Sequence, residues 1–171
     1  MRVLIPTIGV HPCLKLTLES YLLTSPLAPI TVVVGGTNSD LSSYLESLQV
    51  ECLPLDENLG FAGNVNVGLK AIDDDVVLIS NDDVVVLTPG WDDLVKEHFK
   101  DESVAAVGAT SNYVLSHQLY DTKGPEIEFV SCLSFFWIAV SRRAIDQVGL
   151  LDESFGLGLC EDLDWCVRAK Q

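Results

Sequence analysis

Apolar positions along the chain alternate between two kinds of segment. Arg2 to Ile5, Ile30 to Val34, Val50 to Leu53 and Val76 to Ile79 are short, nearly continuous apolar runs, several of them rich in β-branched residues. Runs of that kind mark strands covered on both faces. Pro6 is expected to stop the first. Between them lie segments of helical spacing. Leu14, Leu18 and Leu22 recur after Pro12, and Pro26 and Pro29 close that stretch. Asp40 is placed to cap a helix carrying Leu41, Tyr44, Leu45 and Leu48, with Gly35-Gly36 turning the chain before it. Gly63 to Ile72 reads as a third helix. The resulting β-α-β-α-β-α-β order predicts an α/β fold, a mostly parallel sheet flanked by helices in a single domain.

The second half is less regular. Val84 to Leu87 is a further apolar run, Thr88-Pro89 is a helix start, and Trp91 to Phe99 has helical character. Val104 to Val107 reads as a strand, residues 111 to 128 as a long polar loop, and Phe129 to Val140 as one or two buried strands. A short helix is expected over Ser141 to Val148, a loop over Leu150 to Leu159, and a terminal helix from Glu161. No repeat, low-complexity segment or linker interrupts the 171 residues.

Parallel sheets of this kind bind ligands beyond the carboxyl ends of their strands. Pro6-Thr7, Gly35-Gly36 and Asn81-Asp82-Asp83 all fall at such ends, so the topology puts three candidate site segments on one rim. Asn81-Asp82-Asp83 is also an ordinary polar turn. Set between two apolar runs that both read as strands, Val76 to Ile79 and Val84 to Leu87, it offers carboxylate oxygens where a divalent cation would meet a diphosphate. Glu161-Asp162 suits a helix N-terminus, where acids favour the dipole. Asp164 and Arg168, four apart, make a helix ion pair. Phe155-Gly156-Leu157-Gly158-Leu159 puts two glycines just before Glu161 and allows a close backbone approach. This second carboxylate pair has the chemistry of a general base.

Asn58-Leu59-Gly60-Phe61-Ala62-Gly63 lacks the lysine of a Walker loop and the glycine triplet of a dinucleotide fingerprint. A helix opened by glycines with an Asn ahead can still offer backbone N–H groups to a nucleotide. Asp73-Asp74-Asp75 reads as a solvated connection outside its helix. His11, His98 and His117 are scattered and carry no assigned chemistry.

Charge narrows the partners. With 25 acidic and 10 basic residues the net charge is -15, which repels nucleic acid and anionic lipid. A bound diphosphate would draw its counter-charge from a metal rather than a basic clamp. The five cysteines show no Cys-x-x-Cys spacing, which favours reduced thiols and a cytoplasmic setting over a zinc site or disulfide framework. No apolar stretch is long enough to span a bilayer.

In Val3-Leu4-Ile5-Pro6-Thr7, Glu57 to Gly68, Asn81 to Val86, Pro89-Gly90-Trp91, Val148 to Phe155 and Glu161 to Arg168, taken in that order, the chain resembles glycosyltransferase family 2. These are inverting enzymes of the GT-A (Rossmann-like) fold, and the overall style is similar to their rhamnosyltransferase-like branch. The resemblance implies a catalytic domain over residues 1–171, working in polysaccharide biosynthesis on a nucleotide-diphosphate sugar with Mg2+ or Mn2+. It implies Asp83 as the metal ligand of a DxD-type motif that begins here with Asn81. Asn81 and Asp82 would lie near the ribose and diphosphate, and Pro6, Thr7, Asn58, Gly60 and Asn66 would line the nucleotide pocket. Asp162 would be the catalytic base with Glu161 beside it. The acceptor would be a glycan or a lipid-linked sugar, the latter bringing the protein to a membrane surface.

Three departures from the family pattern stand out. Gly35-Gly36 replaces the usual Asp-Asn after the second strand, which leaves the nucleotide open. Ser134-Phe135-Phe136-Trp137 is bulky where a small residue is usual; Phe135 or Trp137 either stacks on a sugar or fills the core. The chain reaches Gln171 just past the Glu-Asp motif, where members of the family usually continue. A non-catalytic sugar-nucleotide or glycan-binding module on the same fold is the alternative reading. A nucleotidyltransferase ranks last, because Thr7-Ile8-Gly9-Val10-His11 carries no basic residue.

Overall fold

The computed structural model describes residues 1–9, 12–36, 38–111, 118 and 127–171. A six-stranded sheet forms in the order β3-β2-β1-β4-β6-β5. Its strands are β1 (Arg2–Thr7), β2 (Ile30–Gly35), β3 (Glu51–Leu55), β4 (Val76–Ser80), β5 (Ala106–Gly108) and β6 (Trp137–Ser141). The first four run parallel, and β6 lies antiparallel to both β4 and β5. Among the described residues six α-helices accompany them: α1 (Leu14–Thr24), α2 (Ser39–Ser47), α3 (Gly60–Ala71), α4 (Trp91–His98), α5 (Arg142–Val148) and α6 (Glu161–Arg168).

The uninterrupted apolar runs are explained by cover on both faces. On β1, Val3 and Ile5 join one core with α1, α2 and α4, whereas Leu4 joins a second core with α3, α5 and α6. All five residues of β4 and of β6 are buried. On the first side Trp91 of α4 bridges α1 and β6, edge-on to Tyr21 at 5.5 Å and to Trp137 at 5.6 Å.

Several expectations need correction. Pro6 lies inside β1 and does not stop it, pairing with Val33. The N–H of Val3 donates toward β2, to Pro29 O. Alternation then aims the N–H-less side of Pro6 at β4, where the ladder has already ended at Leu4–Ile79. Asn38, not Asp40, caps α2, its side chain accepting from Leu41 N at 3.0 Å. Helix α3 starts at Gly60, three residues earlier than its apolar pattern suggested.

Val84 to Leu87 forms no strand. Val84 and Val86 pack on the α1 side of the core, and Val86 N donates to Ser20 Oγ rather than to a sheet. Helix α4 starts from Gly90 in the left-handed region, not from Thr88-Pro89. Of Phe129 to Val140 only Trp137 onward is strand, and Phe129 itself is exposed. Most of the loop expected over 111–128, together with His11 and His117, lies outside the described residues. Asp73 to Asp75 does follow the end of α3, with Asp74 ion-paired to Arg2.

Candidate active site

Because β1, β2 and β4 are parallel neighbours, their carboxyl ends share one edge of the sheet. Thr7 closes β1, and its hydroxyl donates to Asp82 Oδ2 at 2.6 Å while accepting from Gly9 N at 2.9 Å. The Asn81–Asp83 turn is fixed from two more directions. The hydroxyl of Thr17, buried in α1, donates to Asp82 O at 2.9 Å, and Asn81 N donates to Phe136 O at 2.8 Å. Asp82 is thereby immobilised, and the carboxylate of Asp83 is left exposed.

At the end of β2, Gly35 carries the two amides of Asn58 and Asn64. A Cβ there would stand 2.9 Å from Asn64 Nδ2 and 3.1 Å from Asn58 Oδ1. Asn58 Oδ1 accepts from Gly60 N at 3.0 Å and from Asn64 Nδ2 at 2.9 Å, and Asn64 Oδ1 accepts from Leu59 N at 3.2 Å. Phe61 N donates to Leu157 O. The first N–H groups of α3 are therefore already taken by the protein, contrary to the expectation that they can be offered to a nucleotide. A Gly-opened helix start leaves orphan donors, and here two asparagines and a loop carbonyl satisfy them.

Asn66, a residue proposed for the pocket lining, is buried in α3. Its amide donates to Leu151 O at 2.9 Å and to Glu153 Oε1 at 2.8 Å, and accepts from Leu151 N at 3.0 Å. It anchors the segment that leads into residues 156–160. Gly60 (φ +79) makes the second anchor, since a side chain there would collide with the Gly156 carbonyl. Gly60→Ala combines a left-handed backbone with that collision. We expect a loss of about 1–3 kcal/mol in denaturant unfolding, with altered hydrogen exchange over residues 156–160.

That loop is strained as it delivers α6. Gly156 and Gly158 have positive φ, and so do Leu159 (φ 87) and Cys160 (φ 74), which have no glycine's freedom. Leu157 is 81% and Leu159 85% exposed. Glu161, by contrast, is only 6% exposed, and its Oε2 has no hydrogen-bond partner among the described residues. Asp162 is half-buried. Asp164 pairs with Arg168 at 2.8 Å, and Arg168 also donates to Val148 O and Leu150 O.

One short segment joins the two acidic clusters. Phe136 O holds the Asn81 turn, Phe135 packs edge-on against Trp165 of α6 at 5.7 Å, and Leu133 N donates to Cys166 Sγ at 3.3 Å. Phe135 and Trp137 are both buried, which settles their role as core residues. The sequence pattern gave no hint of Thr17, of the Asn58–Asn64 pair as a helix cap, or of the strain at Leu159 and Cys160. The paired glycines before Glu161 were the only signal for the last.

Among the described residues no group of three or more Asp, Glu, His or Cys side chains forms a closed metal cage. An exposed carboxylate at a fixed turn suits a different kind of site. Mg2+-type ions are commonly held by one or two carboxylates together with substrate phosphates and water, and Asp83 fits that donor set.

Sheet order and helix placement define a GT-A fold. The Glycosyl transferase family 2 profile matches residues 2–149, and the chain belongs to that family. No curated protein matches it in sequence. Among solved structures, it is similar to a mannosyltransferase from Pyrobaculum calidifontis in complex with GDP-Man and Mn2+, at 13% identity and a TM-score of 0.72, over 95% of this chain and 49% of that one. It is similar also to S. aureus TarS 1-349, at 16% identity and a TM-score of 0.70, over 99% of this chain and 55% of that one. The same protein in complex with UDP gives a TM-score of 0.69 at 16% identity, over 99% of this chain and 55% of that one. The chain spans about half the length of these neighbours.

Proposed function

We propose that residues 1–171 are the catalytic domain of an inverting glycosyltransferase that moves a sugar from a nucleotide-diphosphate donor to an acceptor hydroxyl. The observation that carries the proposal is segment 133–136, which links the Asn81–Asp83 turn to Trp165 and Cys166 of α6, the helix that bears Asp162. Thr7 and Thr17 hold Asp82 so that the turn keeps one shape when the donor arrives. Asp83, supplied to solvent, would hold a divalent ion, which offsets charge on the departing diphosphate. Pro6, Thr7, Asn81 and Asp82 line the rim beside it, with Asn58 and Gly60 at the adjoining helix start. Asn66 contributes by anchoring the loop through Leu151 and Glu153.

Asp162 serves as base, taking the proton of the acceptor hydroxyl as its oxygen attacks the anomeric carbon. Glu161 supports it with a buried oxygen that has no donor among the described residues. Such an atom is costly unless a ligand or water pairs with it. The neighbours' complexes with GDP-Man and Mn2+ and with UDP favour a nucleotide donor here too. A sugar-binding module without catalysis would bind the same donor and transfer nothing.

The test is thermal denaturation with a panel of nucleoside diphosphates and their sugars, with and without Mn2+. One nucleotide should raise Tm only when the metal is present. A flat panel would overturn the donor assignment.

A further inference from the structure

Two thiols meet where segment 132–136 packs on α6, Cys132 on the segment and Cys166 on the helix. Cys132 Sγ and Cys166 Sγ both donate to the same oxygen, Leu133 O, at 3.7 and 3.6 Å, and Leu133 N donates back to Cys166 Sγ at 3.3 Å. Both cysteines are free; Cys132 is half-buried and Cys166 buried. The two thiols also hydrogen-bond each other, so their sulfurs lie within contact reach. We propose that Cys132 and Cys166 are a reversible redox pair, closed by a low-molecular-weight disulfide and reopened by a dithiol, that ties α6 to segment 132–136.

The chemistry is thiol–disulfide exchange. Cys132, the more accessible, attacks a sulfur of the small disulfide. A mixed disulfide forms on Cys132, and one small thiol leaves with the proton. Cys166 Sγ then attacks Cys132 Sγ, and the second small thiol leaves. Two protein thiols are oxidised by two electrons, and one disulfide is reduced to two thiols. Burial pushes the Cys166 thiol up to about 11, with the neighbouring Cys132 and Asp162 adding to it. Cys166 therefore reacts with partners brought to it, not with reagents in bulk solvent.

The bond would reach both clusters. Asp162 lies one turn ahead of Cys166 on α6, and Phe136, at the other end of the segment, holds Asn81. Closing the pair fixes α6 against the segment that positions the Asn81–Asp83 turn. An effect on sugar transfer rests on the function proposed above; formation of the bond does not, so the two fail separately.

The experiment treats the reduced protein with oxidised glutathione and maps thiols by peptide mass under acidic, non-reducing conditions. A Cys132–Cys166 cross-linked peptide is expected, with a rise in Tm of roughly 5–10 °C that dithiothreitol reverses. Cys132→Ser should leave Cys166 unmodified and abolish the rise. Cys160→Ser removes the exposed competing thiol and should leave the cross-link intact. Glutathione remaining on Cys132 as the end product would overturn the proposal. So would recovery of both thiols free while Cys160 carries the label. Mapping the unaltered chain decides the matter even if a variant fails to fold.

Discussion

Asp162→Asn is expected to lower sugar transfer by about 1,000-fold, within the range that removal of a positioned base produces, while donor binding stays within about twofold. The amide keeps the shape of the carboxylate and its place in the first turn of α6, but it does not accept a proton from an acceptor hydroxyl. Calorimetric titration of the donor and a single-turnover assay separate the two effects. Asp164→Asn is the matching control. It breaks the pair with Arg168 and should cost at most about 1 kcal/mol of stability without comparable loss of rate. Transfer at the normal rate by Asp162→Asn would remove Asp162 from the mechanism.

Asp83→Ala should abolish the metal-dependent part of donor stabilisation. A donor present at about 100 times its dissociation constant stabilises the folded state by about 2.7 kcal/mol. In a chain of this length that amounts to roughly 5–10 °C in Tm. The variant should keep its own Tm without ligand, because the Asp83 side chain is exposed and Asp82 makes the contacts that hold the turn. A shift with Mn2+ equal to that of the unaltered chain would place the ion elsewhere.

The first half of the fold was readable because β1, β2 and β4 are covered on both faces, so periodicity alone separated strand from helix; the edge strand β3 is only half-buried. Where a segment packs on one side only, the signal failed. Val84 to Leu87 alternates half-buried and exposed positions like a strand, yet it lies against α1 and gives its amide at Val86 to Ser20. Pro6 misled because its effect depends on which neighbour its missing N–H faces, a property of register and not of composition. The two acidic clusters were visible in the sequence, and so was the common rim for the strand ends. What ties α6 to the segment that holds the Asn81 turn was not. It depends on Phe135 against Trp165 and on Leu133 against Cys166, contacts that no local pattern encodes. The left-handed Leu159 and Cys160 were equally hidden, since nothing in a leucine or a cysteine announces that conformation.

The reversed direction of β6 has a consequence for how such a domain diversifies. In a wholly parallel sheet every strand leaves at the ligand edge, and the chain must travel around the molecule before it returns there. Here the polypeptide comes into β6 at that same edge, with Trp137 opposite Ser80. Residues just upstream are delivered straight to the working side of the molecule without a crossover. Segment 132–136 is held by its packing, but residues 127–131 before it are mostly exposed and are free to change in size and character while both cores keep theirs.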